Sequence, residues 1–219
     1  MQELTRFRNR VEAGRLLAKR LMTYQNHPNA LVLGLPRGGV PVGFEIAKAL
    51  QLPLDVFLVR KLGVPGHEEL AMGAIASDSE PIFQADILRQ LDLPISTIEQ
   101  VVSRQKLELQ RRENVFRADL PPLDLAGKFI IVVDDGLATG STMLAALKAI
   151  RQQNPARIIT AIPVASDEAL TLISSLSDDV ICLFSPERFY SVGFWYEDFQ
   201  QTQDEEVVNL LQKAKQIHG

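Results

Sequence analysis

Phe129-Ile130-Ile131-Val132-Val133 runs without a break into Asp134-Asp135-Gly136-Leu137-Ala138-Thr139-Gly140-Ser141-Thr142. The first five residues are apolar and mostly β-branched, with no polar alternation. That pattern suits a strand covered on both faces, as in a parallel sheet. Beyond Thr142, Met143, Leu147 and Ile150 recur at helical spacing, and Asn154-Pro155 closes the helix. The segment between is therefore a turn from the carboxyl end of a strand into a helix. Its glycines let backbone N–H groups converge on one point. A helix beginning near Ser141 adds free N–H groups and a positive dipole end. Thr139, Ser141 and Thr142 add hydroxyl donors. Together these groups form a cradle for a phosphate monoester.

Asp134 and Asp135 would repel that anion unless they face something else. A sugar diol is the natural partner, because each carboxylate can accept from a hydroxyl. A sugar whose phosphate and diol lie one short turn apart is ribose 5-phosphate. The same carboxylates can hold Mg²⁺, directly or through water. A P-loop needs G-x-x-x-x-G-K-[ST], and Gly136 to Thr142 lacks both the lysine and the spacing. The G-x-G-x-x-G of a dinucleotide site is absent as well. The plain alternative is a strand-to-helix turn with surface aspartates, but two adjacent acids ending a buried strand are costly there without a ligand.

Working outward, the apolar run Ala30 to Leu33 is followed by Gly34-Leu35-Pro36-Arg37-Gly38-Gly39. Val42, Ile46 and Leu50 then mark a helix, and Leu54 to Val59 a second strand, giving a βαβ unit. Ile158 to Val164 and Val180 to Phe184 predict two further buried strands with a helix between them. The fold class is α/β, a doubly wound, mostly parallel sheet, and its ligands bind beyond the carboxyl ends of the strands. Two such ends carry glycine-rich turns, Gly34 to Gly39 and Gly136 to Gly140.

Phe7, Val11, Leu17 and Leu21 predict a long N-terminal helix. Arg60 to Ala71 reads as loop, with short apolar pieces at Met72 to Ala76 and Pro81 to Phe83. Ser96-Thr97-Ile98-Glu99 fits a capping box and starts a helix running to about Asn114. Thr202-Gln203-Asp204-Glu205 fits a second, ahead of a last helix with Val207, Leu210, Leu211 and Ala214 on its apolar stripe. The aromatic tail from Phe189 to Phe199 holds the only tryptophan. It either stacks on a heterocycle or seals the C-terminal helix, and the packed cluster is the favoured reading. The expected organisation is one domain over residues 1–219. Its core covers about 26–80 and 127–185, with a helical insert at about 84–122 and a C-terminal lid and helix at about 186–219.

The turn at Asp134 to Thr142 resembles the signature of the type I phosphoribosyltransferases: four apolar residues, two acids and G-x-x-T-G-x-T. By that resemblance Asp134 and Asp135 hold the ribose hydroxyls of a 5-phosphoribosyl diphosphate, with Mg²⁺ as cofactor. Ala138, Thr139, Gly140, Ser141 and Thr142 then hold its 5-phosphate. Gly34 to Gly39 sits where the family keeps its pyrophosphate loop, so Arg37, Gly38 and Gly39 would meet the diphosphate. Val59-Arg60-Lys61-Leu62-Gly63-Val64-Pro65-Gly66 is similar to the corresponding stretch of adenine phosphoribosyltransferases, which makes Arg60 and Lys61 diphosphate ligands. Glu69, or its neighbour Glu68, is the candidate general base. Enzymes for 6-oxopurines carry an aspartate where this chain has Ala138, so a hypoxanthine or guanine acceptor is disfavoured. The resemblance covers roughly Ala30 to Ala76 and Phe129 to Phe184, and the whole chain best resembles members whose substrate is unassigned.

It implies Mg²⁺-assisted transfer of 5-phosphoribosyl to a nitrogenous base with release of pyrophosphate, in a cytoplasmic homodimer. The alternative is a non-catalytic sensor of the diphosphate or nucleotide. Arg111-Arg112 on the insert could touch RNA, but a formal charge of -4 disfavours nucleic acid and anionic membrane. No apolar run approaches the ~20 residues of a bilayer span. The one cysteine, Cys182, reads as a buried small hydrophobe and excludes an intramolecular disulfide.

Overall fold

The computed structural model describes residues 6–77, 79–91, 93–118 and 121–218; the side chains of Glu68, Glu69 and His218 lie outside that description. Five parallel strands form the main sheet: β1 (Ala30–Gly34), β2 (Leu54–Val56), β6 (Phe129–Val133), β7 (Arg157–Val164) and β8 (Asp179–Phe184). Their order is β2-β1-β6-β7-β8. Alternate residues feed two cores. Val32, Ile131, Val133 and Ile159 face the layer of α1 (Arg10–Arg20), α2 (Gly39–Leu50) and α7 (Asp204–His218). Leu33, Ile130, Val132 and Ile158 face α5 (Ser141–Gln152) and α6 (Asp167–Ser174). All eight of those strand residues are 0% exposed, which is why the runs show no polar alternation.

The strand order reverses direction between β1 and β6. The helix after β1 covers one face and the helix after β6 the other, so a crevice opens where the two strands end. Gly34 pairs in register with Val133, and the two glycine-rich turns therefore leave the sheet side by side.

Several expectations are corrected. Leu54 to Val59 is not one strand: β2 stops at Val56, and Val59 begins β3 (Val59–Val64) in a second sheet. The predicted loop from Arg60 to Ala71 is mostly a hairpin of β3 with β4 (His67–Ala76), extended by β5 (Ile82–Phe83). Only Pro65-Gly66 is its turn; Gly63, which with them gave the stretch its loop-like composition, marks a register irregularity within the strands. The insert contains α3 (Ala85–Leu91) and a longer helix than expected, α4 (Ile95–Arg117), whose cap is Pro94 with no side-chain hydrogen bond. The Ser96 capping box therefore does not form. The last helix starts at Asp204, and Phe7 lies ahead of α1, bridged to Tyr196. Val207, Leu211 and Ala214 are buried as expected.

The insert is fastened to the core. Arg117 at the end of α4 meets Asp55 of β2 with two hydrogen bonds, Nε to Oδ1 at 2.9 Å and NH2 to Oδ2 at 3.1 Å. Both residues are buried. Along its length α4 packs on β3, β4 and α7. Among the described residues no helix is long and apolar enough to cross a membrane.

Candidate active site

Sheet register places the two turns in contact. The N–H of Leu35 donates to the carbonyl of Val133 at 2.8 Å. A Cβ on Gly39 would lie 2.5 Å from that carbonyl oxygen and 2.9 Å from Cα of Asp134, and one on Gly38 only 1.9 Å from Oδ2 of Asp135. These glycines are needed for closeness rather than for an unusual φ. The peptide Pro36-Arg37 within the first turn is cis.

The turn from Ala138 to Thr142 leads into α5. Gly140, at φ 70, caps α5, a left-handed conformation that side chains rarely adopt. Thr139 and Ser141 hydroxyls share a hydrogen bond at 2.7 Å, Thr139 and Thr142 are exposed, and Thr142 lines the neighbouring cleft. The carbonyl of Ala138 accepts from Ser166 Oγ at 2.7 Å, which ties the outside of the loop to α6.

The two acids differ. Asp134 is half-buried, accepts the Asp135 N–H at 2.8 Å, and has no ion pair among the described residues. Burial first, and then the neighbouring Asp135 charge, push its carboxyl well above the ordinary range. Asp135 is also raised by burial, but Arg10 of α1 opposes this. Arg10 reaches Asp135 Oδ2 through Nε at 2.9 Å and NH2 at 2.8 Å. Its guanidinium lies 4.0 Å from the centre of the Phe199 ring and donates to the carbonyl of Gln200 at 2.7 Å. Tyr196 donates its hydroxyl to the Asp135 carbonyl at 2.6 Å. The aromatic tail is thus a packed cluster: Tyr196 stacks on Phe199 at 4.9 Å, and Trp195 meets Phe184 edge-on at 5.0 Å. It supports the second aspartate from behind, as well as closing the C-terminal end.

Beside the cradle lies a cleft of about 600 Å³, reached from Pro36 on one turn and Thr142 on the other. Arg60 and Lys61 of β3 line it, as do Arg104, Gln105 and Arg112 of α4. Gln105 accepts from Arg60 Nε at 3.0 Å. Arg37 instead leans toward Asp204 at the start of α7, at 3.4 Å. Glu69 and Glu68 have side chains outside the described residues, so the general-base expectation lies outside them too. Among the described residues no three metal-ligating side chains cluster. What the donor set offers a cation is the Asp134 carboxyl group, which has no ion-pair partner among the described residues.

Reading along the chain missed Arg10 and Arg104, named Arg112 only as a possible RNA contact, and placed Tyr196 only within the aromatic tail. Arg10 and Tyr196 lie far from the signature in sequence, and nothing local marks them. The insert did carry a signal: Val101, Gln105, Glu108 and Arg112 fall at i, i+4, i+7 and i+11, one helix face. Arg111, first paired with Arg112 as an RNA contact, points elsewhere and is held by Glu108 at 2.9 Å.

A parallel sheet with an acidic, glycine-rich turn at its switch point defines a nucleotide-type α/β fold. Residues 3–183 match the phosphoribosyl transferase domain model. A Mycobacterium tuberculosis protein provisionally named as a phosphoribosyl transferase is 43% identical over 208 residues, which cover 95% of this chain and 47% of that protein. The chain thus spans about half the length of the curated relatives it matches. The crystal structure of TT1426 from Thermus thermophilus superposes with a TM-score of 0.84 at 40% identity, covering 95% of this chain and 98% of that one. A uracil phosphoribosyltransferase of Metallosphaera sedula is 28% identical over 163 residues, 67% of this chain and 72% of that enzyme. The chain belongs to the type I phosphoribosyltransferase family.

Proposed function

We propose that the chain transfers 5-phosphoribosyl from phosphoribosyl diphosphate to a nitrogenous base and releases pyrophosphate. The observation that carries this is the in-register pairing of Gly34 with Val133, which brings a glycine–arginine loop against an aspartate pair and a phosphate cradle. The 5-phosphate is bound by the N–H groups and hydroxyls of Thr139 to Thr142. The ribose hydroxyls donate to Asp134 and Asp135. The diphosphate lies along Gly38 and Gly39, where Arg37, Arg60 and Lys61 stabilise the charge that grows on it. In the transfer, a ring nitrogen of the acceptor bonds to C1′ as the C1′–O bond to pyrophosphate breaks, and the nitrogen's proton passes to a base or to solvent. Mg²⁺, when bound with the diphosphate, would neutralise the leaving group. Asp134 fits a role in holding it, being an acid beside the cradle with no ion-pair partner among the described residues.

The test is pyrophosphate release from phosphoribosyl diphosphate and Mg²⁺ over a panel of bases, beside calorimetric binding of the diphosphate. Release with at least one base, lost in Asp134→Asn/Asp135→Asn, supports the reading. Tight binding with no release across the panel turns the assignment to a non-catalytic sensor. Unchanged affinity in the double variant removes the site assignment.

A further inference from the structure

We infer that the insert helix α4 builds an anion subsite facing the donor site, so that the acceptor carries a carboxylate or phosphate of its own; this rests on the transferase reading above. Two cations of β3, Arg60 and Lys61, and two of α4, Arg104 and Arg112, line one cleft, and among the described residues no acid lines it. Among the described residues Arg60, Lys61 and Arg104 have no carboxylate within ion-pair distance, and only Arg112 is paired, to Glu108 at 2.9 Å. Glu108 is itself shared with Arg111.

Gathering like charges in this way is unfavourable without an anion. Arg60 registers the cost: burial first, then the Arg112 charge and that of Arg104, weaken its hold on its proton. The diphosphate already has Arg37, Arg60, Lys61 and backbone N–H groups on the sheet side. Arg104 and Arg112 stand on the α4 side of the cleft, which Pro36 and Thr142 of the two turns also line. Gln105, between them in sequence, fixes Arg60 by its 3.0 Å hydrogen bond and so ties the two walls together. A neutral base leaves Arg104 without a counter-ion among the described residues and Arg112 with only its share of Glu108. A base bearing a carboxylate or phosphate satisfies them in the fork geometry that suits arginine.

Matched ligands separate the possibilities: uracil against orotate, nicotinamide against nicotinate, and pyridine against its 3-phosphonate, which stands in for a phosphate on the base. Each is titrated into the full chain and into Arg104→Gln/Arg112→Gln, with and without phosphoribosyl diphosphate. In the unaltered chain the anionic member of at least one pair should bind about tenfold tighter than its neutral partner, and the pair showing it distinguishes carboxylate from phosphate. In the variant that preference should fall to about twofold or less, while affinity for the diphosphate changes by no more than about twofold. Arg104→Lys/Arg112→Lys should keep part of the preference, because the charge remains. Equal binding of all pairs, or loss of diphosphate affinity in the variant, overturns the inference; the second outcome assigns α4 to the donor. If the unaltered chain binds no diphosphate, the transferase reading fails on that arm alone, and the pairs still report whether the cleft selects anions.

Discussion

Arg10 donates to Oδ2 of Asp135 at 2.9 and 2.8 Å, joining the first turn of the N-terminal helix to the signature turn across 125 residues of sequence. Their side chains are 12% and 15% exposed. A carboxylate at this depth is costly to leave unpaired. The ion pair therefore makes an acidic turn compatible with a closed crevice, and Phe199 and Gln200 fix the guanidinium that does it.

Arg10→Gln should lower stability by about 3 kcal/mol at pH 8, because Asp135 stays buried without its cation. The sign with pH follows from linkage. Burial raises Asp135, Arg10 opposes that rise, and removing Arg10 raises the group further. The folded variant then binds a proton more tightly than its unfolded chain does, so its deficit grows as pH rises through the folded pKa and shrinks in acid. Urea midpoints at pH 5 and pH 8 check this; a deficit equal at both pH values would contradict it.

Asp134 titrates well above its ordinary value, mainly through burial and then the Asp135 charge. An acid raised on folding favours the protonated native state, so its ionisation above that pKa costs stability. Asp134→Asn should therefore stabilise the ligand-free chain at neutral pH by roughly 0.5–2 kcal/mol while removing affinity for phosphoribosyl diphosphate. Thermal unfolding and calorimetry on the same preparations read both. In the unaltered chain, affinity should decline as the medium is acidified, with a midpoint above the ~3.9 of a free aspartate.

Gly38 has ordinary helical angles, φ -62 and ψ -30, so alanine is allowed there by the backbone. The added Cβ would nonetheless lie 1.9 Å from Asp135 Oδ2. Gly38→Ala should displace that carboxylate and weaken binding of the diphosphate about tenfold or more. Stability should fall by about 1–3 kcal/mol, as in other overpacked sites. A variant that binds normally would show that the carboxylate is free to move aside.

Arg117 and Asp55 are both buried and joined by two hydrogen bonds. Arg117→Ala should cost about 3–5 kcal/mol by leaving Asp55 uncompensated, whereas Arg117→Met/Asp55→Leu should recover much of the loss. Chemical denaturation of the three proteins gives the comparison. Additive losses in the double variant would mean the pair has no mutual dependence.

Local pattern determined much of this protein. Unbroken apolar runs at Val32, Ile131 and Ile159 required strands covered twice, and the passage from Val133 through Gly140 to Met143 required a strand, a tight turn and a helix. The strand–turn–helix from Val133 to Met143 was legible because its residues are consecutive, so chain order and spatial order coincide. Tertiary structure decided what comes from a distance. The register of Gly34 against Val133 set the two turns in contact. Arg10 and Tyr196, which have no local signature, came to rest on Asp135 through packing of the two ends of the chain. Arg60 to Ala71 showed loop composition, yet pairing with a partner strand satisfied its backbone and made it a hairpin. The insert's arginines suggested only a possible RNA contact at Arg111-Arg112, whereas α4 docks on β3 and Arg104 and Arg112 line the cleft. Contacts within one turn of chain depend on neighbours in sequence, whereas long-range ion pairs and facing walls depend on how the layers close around the core.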